Sequence, residues 1–105
     1  MMMGQSSLAK KEAAIISERA FQNFEHHQHV WYRLLVVNDQ YNQQYNFFLE
    51  WHYRGERCRS VPLHVVQHYE LHYLKQVLIN VQNRIGFSIL LRNFPIIQRN
   101  LLQKS

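Results

Sequence analysis

Residues 45–54, YNFFLEWHYR, decide the fold of this chain. Large apolar and aromatic side chains occupy every second position, and mostly polar side chains stand between them; the first set is Tyr45, Phe47, Leu49, Trp51 and Tyr53. Successive side chains of a β-strand point to opposite faces of a sheet. The alternation therefore predicts a strand with one face in the core and one face toward water.

The sequence before this strand predicts a helix and a second strand. Apolar residues at spacings of three and four predict a helix over 8–26, and β-branched and aromatic residues predict a strand over 30–37. The amide-rich segment 38–44 is typical of a loop between two strands. Residues 1–6 precede the helix and are expected to be flexible.

The sequence after residue 54 predicts one more strand and two helices. A short third strand is predicted over 57–61, with Cys58 pointing inward. An amphipathic helix follows over 62–83, since a proline is tolerated in a first helical turn. Segment 87–91 is apolar enough for a strand or a buried turn of helix, and a last helix is predicted over 93–103.

These segments predict a single small α+β domain over residues 1–105. It has an N-terminal helix, a two- or three-stranded antiparallel sheet, a long amphipathic helix and a short C-terminal helix. A chain of 105 residues with 47% hydrophobic residues can bury one core.

The single cysteine excludes an internal disulfide and favours a reducing compartment, so a cytoplasmic location is expected. The sequence has no secretory signal and no run of about 18 apolar residues, so no membrane association is predicted.

Positive charge is concentrated in the second half of the chain. The first fifty residues hold four Lys or Arg and five acids, whereas the remainder holds eight against two, with no acid from 71 to 105. This division favours a basic surface that contacts nucleic acid or an acidic protein surface. The candidate contact residues are Arg54, Arg57, Arg59, Lys75, Arg84, Arg92 and Arg99.

Residues 51–59, WHYRGERCR, interleave aromatic and arginine side chains at a predicted turn. Guanidinium groups contact phosphates and aromatic rings stack on bases, so the pattern favours nucleic-acid binding. The alternative is that Trp51 and Tyr53 are core residues and the arginines form an ordinary solvated turn.

The predicted second helix carries His64, His68 and His72 at spacings of four. Such spacing lets a helix supply two ligands to zinc or nickel. One ion would reach only a neighbouring pair, because His64 and His72 would lie about 12 Å apart along the axis. The alternatives are a solvated helix face, or a surface whose charge rises below about pH 6.5. Glu70 falls among the apolar residues of this helix. It is expected either to pair with a cation across the core or to lie where a partner completes the site.

No catalytic motif is present: the chain lacks a nucleophile elbow, a glycine-rich phosphate loop and a Cys-x-x-Cys pair. The sequence therefore favours a non-enzymatic regulatory or accessory protein that contacts nucleic acid or a nucleoprotein complex. One alternative is a protein-binding module: an inhibitor, immunity protein, adaptor or homodimer subunit. Its candidate surface comprises Trp31, Phe48, Tyr69, Phe94, Ile96, Ile97, Leu101 and Leu102. A second alternative is a histidine-based metal-binding protein.

Overall fold

A computed structural model describes residues 3–23, 30–53 and 55–103, without the side chains of residues 3–7 and 53. The described chain contains three helices and four strands, so the predicted α+β class is confirmed. In chain order they are α1 (Met3–Gln22), β1 (Val30–Asp39), β2 (Gln44–Tyr53), β3 (Arg59–Val66), α2 (Leu71–Arg84), β4 (Ser88–Arg92) and α3 (Ile96–Gln103).

The four described strands form one mixed sheet in the order β3-β2-β1-β4. Strand β2 pairs antiparallel with both β1 and β3, but β4 pairs parallel with β1. The predicted two or three antiparallel strands thus account for only part of the sheet. Segment 87–91, for which the sequence allowed either a strand or a buried turn of helix, forms most of β4. The parallel pairing arises because α2 returns the chain to the same end of the sheet, as crossover helices do.

The alternation of β2 is confirmed. Tyr45, Phe47 and Leu49 are buried, and Leu49 and Phe47 face Leu34 and Val36 across the β1–β2 ladder. These four aliphatic and aromatic residues belong to the same core cluster as residues from all three helices. The predicted core face of the sheet is therefore the face on which the helices pack.

Helix α1 buries small residues. Ala9, Ala13, Ile16 and Ala20 are fully buried, and α1 packs mainly against α2. Small side chains let two helix backbones approach closely, which explains why an alanine stripe serves as the buried face. The helix begins at Met3 and ends at Gln22, against the predicted 8–26. Met1 and Met2, predicted to be flexible, and the end of the predicted helix after residue 23 lie outside the described residues.

The predicted boundaries between the third strand and the second helix are wrong. Residues 61–66 continue β3, and α2 begins only at Leu71. Pro62 has no N–H to donate, but β3 is an edge strand with a register irregularity beside it, and both settings tolerate proline. Cys58 precedes the strand and is exposed, not inward. Glu70 precedes α2 and is also exposed, with its carboxylate 4.0 Å from the His68 ring, so it does not lie within the core.

Helix α3 begins at Ile96, just after Pro95, and buries Leu102. It packs on α2. No helix within the described ranges is long and apolar enough to cross a membrane.

Candidate nucleic-acid interface

The sheet has a second face that does not contribute to the helix-packed core. Side-chain alternation places Trp31, Arg33 and Leu35 of β1 on this face, together with their cross-strand partners His52, Glu50 and Phe48 of β2. None of these six residues belongs to the core cluster that contains residues of the three helices. We call this surface the open face; Val37, Ser88, Leu90 and Arg92 extend it along β1 and β4.

Two aromatic rings meet at one end of the open face. Trp31 is 57% exposed, and its ring centroid lies 5.0 Å from that of His52. The two residues face each other across the central strands of the sheet. An exposed indole on a central strand presents a flat apolar surface to solvent, which suits the stacking of another planar group.

An ion pair follows the aromatic pair along the strands. Arg33 Nε donates to Glu50 Oε1 at 2.7 Å, and the two residues are direct cross-strand partners. The side chain of Glu50 is largely buried while that of Arg33 remains nearly half exposed. The pair neutralises the carboxylate, so Glu50 does not leave an uncompensated negative charge on the open face.

A cavity of about 270 Å³ opens beside these two pairs. Its lining comprises Trp31, Tyr32, Arg33, Glu50, Trp51, His52, Cys58 and Ser88. Stacking surface, hydrogen-bond donors and a carboxylate thus converge at one end of the open face. These are the groups that fix the orientation of a small planar ligand or a single nucleobase.

One of the predicted cationic residues adjoins the cavity, and another lies on the opposite side of the sheet. Arg57 is exposed and precedes Cys58, which lines the cavity. Arg59 is also exposed, but it pairs directly with Trp51, so alternation places its side chain on the helix-packed side. Arg92 is exposed at the far end of β4, where it pairs with Val37. Within the described ranges, neither Arg57, Arg59 nor Arg92 forms an ion pair.

The remaining predicted cations lie elsewhere. Arg84 ends α2 and lines a separate cavity with Glu18 of α1, Lys75 lies on α2 beside α3, and Arg99 is exposed on α3. Arg54 lies outside the described residues. The structure therefore assembles a smaller cationic set than the sequence predicted.

Arg33 was missed by the sequence prediction because it belongs to the half of the chain with a negative balance. Its position two residues after Trp31 was the available signal, since residues i and i+2 of a strand share a face. Trp51, in contrast, packs against the core. That agrees with the alternative interpretation of residues 51–59, in which Trp51 is a core residue. The ring of this segment that lies on the open face is His52.

The three histidines predicted to share a helix face lie on three different segments. His64 is in β3, where its Nε2 lies 2.8 Å from Glu12 Oε1. His68 stands in the connection before α2, and His72 is exposed in its first turn. No group of three or more potential metal ligands occurs within the part of the chain that the structure describes. The geometry behind the predicted zinc or nickel pair is thus wrong.

Glu12 joins three elements of the fold, a role that the sequence did not indicate. Its carboxylate contacts His64 of β3 and accepts a hydrogen bond from the Tyr73 hydroxyl of α2. Burial, followed by this contact with Glu12, raises the pKa of Tyr73 above its ordinary value. Glu12 therefore holds α1 against both β3 and α2.

The predicted protein-binding surface is divided by the fold. Trp31 and the half-buried Phe48 lie on the open face. Tyr69 donates to Asn38 Oδ1 at 2.7 Å and stacks on Tyr45 at 4.9 Å, so it secures the start of α2 to the sheet. Of the predicted residues near the C-terminus, Phe94 and Leu102 are buried. The exposed ones are Ile96, Ile97 and Leu101.

No family model, curated protein or solved structure matches this chain.

Proposed function

We propose that this protein binds single-stranded nucleic acid on the open face of its sheet and acts as a non-enzymatic regulatory or accessory factor, in the cytoplasm. The observation that carries the proposal is the exposed Trp31 ring beside His52, on a face that also carries Arg92, an arginine that no described carboxylate neutralises. Base stacking supplies sequence-tolerant affinity, and arginines supply contacts to the backbone phosphates.

The spacing of the cross-strand pairs supports an extended strand as the ligand. The pairs Trp31–His52, Arg33–Glu50 and Leu35–Phe48 follow one another at intervals of two residues, which is about 7 Å along a β-strand. The accessible members of these pairs, Trp31, Arg33 and the half-buried Phe48, can therefore meet successive bases of an extended single strand, whereas Leu35 and Glu50 are buried. The bases of a duplex are stacked on each other and do not present their faces to a protein surface.

The distribution of charge supports backbone contacts at both ends of the open face. Arg57 precedes Cys58, which lines the cavity beside Trp31, and Arg92 lies beyond Leu35, four residues along β4 from Ser88. That interval corresponds to about 13 Å. Glu56 is exposed next to Arg57 and lowers the local charge, so we expect modest affinity and strong dependence on salt.

Fluorescence anisotropy with a labelled thymidine oligonucleotide tests the proposal. Neutralisation of one phosphate by each of Arg57 and Arg92 predicts a log–log slope of affinity against salt of about −1.4. The double variant Arg57→Glu with Arg92→Glu is expected to remove most of this slope. A matched control, Arg84→Glu with Arg99→Glu, makes the same change in net charge away from the open face.

Two results would overturn the proposal. One is an affinity that does not change with salt or that falls equally in both double variants. The other is binding of the annealed duplex as tight as that of the single strand, since a flat stacking surface offers nothing to a closed helix.

A further inference from the structure

Helices α2 and α3 enclose a groove that the open face does not use. Its lining comprises Leu71, His72 and Lys75 of α2 and Leu101 and Leu102 of α3, and its volume is about 300 Å³. Leu102 is buried at the floor, whereas Leu101 is 50% exposed on the wall. The groove has room for one large apolar side chain.

Apolar side chains continue beyond the groove on both helices. Ile97 precedes Leu101 by four residues on α3 and is 75% exposed. Ile79 follows Lys75 by four residues on α2 and is also exposed. Residues four apart lie on the same side of a helix, about 6 Å apart along its axis. Exposed apolar residues one turn from a groove, on each of the two helices that form it, are typical of a surface that receives a partner.

The lining of the groove contains one cation, Lys75. Lys75 forms no ion pair with any residue in the described ranges. His72 stands beside it in the first turn of α2, where the helix dipole adds partial positive charge. No acidic residue occurs from 71 to 105, and Glu70 is the one carboxylate next to the groove in sequence.

We propose that the α2–α3 groove binds an acidic amphipathic segment of a partner protein. One large apolar side chain of that segment enters the groove between Leu71 and Leu101, and carboxylates on the adjacent turns pair with Lys75. This is the helix-in-groove mode of recognition, in which apolar anchors supply affinity and flanking charges supply orientation and selectivity. The site is independent of the open face.

Two fluorescent peptides provide the test. The probe is a helical peptide of about sixteen residues with leucines at i, i+3, i+4 and i+7 and glutamates at most other positions. The comparison peptide replaces every glutamate with lysine. We expect the acidic peptide to bind and the basic peptide to bind at least about tenfold more weakly.

Matched variants locate the binding. Lys75→Glu is expected to weaken the acidic peptide about tenfold, whereas Lys11→Glu makes the same charge change on exposed α1 and is expected to have no effect. Leu101→Ser is expected to weaken it similarly, with Leu8→Ser, at an exposed leucine of α1, as control. Oligonucleotide binding by Lys75→Glu distinguishes the two sites, because the open face is unchanged in that variant.

Four results would overturn the proposal: no binding of the acidic peptide, equal binding of the basic peptide, equal losses in Lys75→Glu and Lys11→Glu, or equal losses in Leu101→Ser and Leu8→Ser. Self-association that Leu101→Ser abolishes would also overturn it, because the occupant would then be a second copy of this chain. Circular dichroism of each variant establishes that it is folded before binding is measured.

Discussion

Substitution of Trp31 with alanine separates a nucleic-acid surface from an ordinary exposed residue of the sheet. The ring is 57% exposed and outside the core cluster, so its removal costs the fold little. Loss of its cross-strand contact with His52 is expected to lower the free energy of unfolding by no more than about 1 kcal/mol.

The effect on binding is expected to be larger. Stacking of one base on an aromatic side chain contributes about 1–3 kcal/mol, so Trp31→Ala is expected to weaken a single-stranded oligonucleotide by about 5- to 150-fold. Because stacking is not an ion contact, the dependence of affinity on salt should keep its slope. Arginine variants should reduce that slope, so the two classes of contact are distinguishable in one titration.

The assay is anisotropy of a labelled oligonucleotide at several salt concentrations, with urea unfolding of the same samples. Tyr41→Ala is the matched control, because Tyr41 is an aromatic residue 95% exposed in the turn at the opposite end of the β1–β2 hairpin. Equal affinities of Trp31→Ala and Tyr41→Ala would refute the stacking argument. A salt slope that falls in Trp31→Ala would show that the ring acts through the neighbouring arginines instead.

Two further predictions concern stability. Burial raises the pKa of Tyr45 to about 12. The unfolded chain therefore loses this proton near pH 10, while the folded chain keeps it. The free energy of unfolding should consequently fall by up to ~1.4 kcal/mol per pH unit between about pH 10 and pH 12. Urea unfolding at pH 9 and 11 checks this, and a Tyr45→Phe protein with an unchanged decline would contradict it. Ala13 is fully buried in the face of α1 that packs on α2, so Ala13→Leu should cost about 1–3 kcal/mol by overpacking. Ala14→Leu is the control, because Ala14 borders an open cavity. If Ala14→Leu lowered the free energy of unfolding as much as Ala13→Leu, the alanine stripe would not be tightly packed.

The sequence was most informative where one structural period explained every residue. Tyr45, Phe47 and Leu49 fit only a period of two, and that strand was predicted correctly. Leu63 and Val66, three residues apart, fit the helical period and continue the apolar stripe of α2 on a helical wheel. Both are nevertheless buried in β3, because Leu63 is the unpaired residue at the register irregularity opposite Phe47 and Phe48. A proline at position 62 favoured the helix start, because its alternative setting, an edge strand with a bulge, depends on pairing with residues far away in sequence.

The candidate site was predicted less well because it depends on register and not on composition. Arg33 and Glu50 belong to different segments and compensate each other only because β1 and β2 pair in that register. A sum of charges along the chain assigns both to the half with a negative balance. The parallel pairing of β4, which places Arg92 on the open face, is likewise a tertiary contact that local sequence patterns do not encode.

The division of charge along the chain therefore does not become a division in space. Strand β1 and most of β2 come from the half with negative balance and form the centre of the open face, while Arg92 on β4 and Arg57, next to Cys58 of the cavity, come from the basic half. Lys75, from the same basic half, lies instead on α2, a helix that packs on the opposite face of the sheet. A strand on the open face and an acidic segment in the α2–α3 groove would thus contact different atoms. If both proposals hold, neither ligand displaces the other, and one small domain would hold both at once, as an accessory factor of a nucleoprotein complex would need to do.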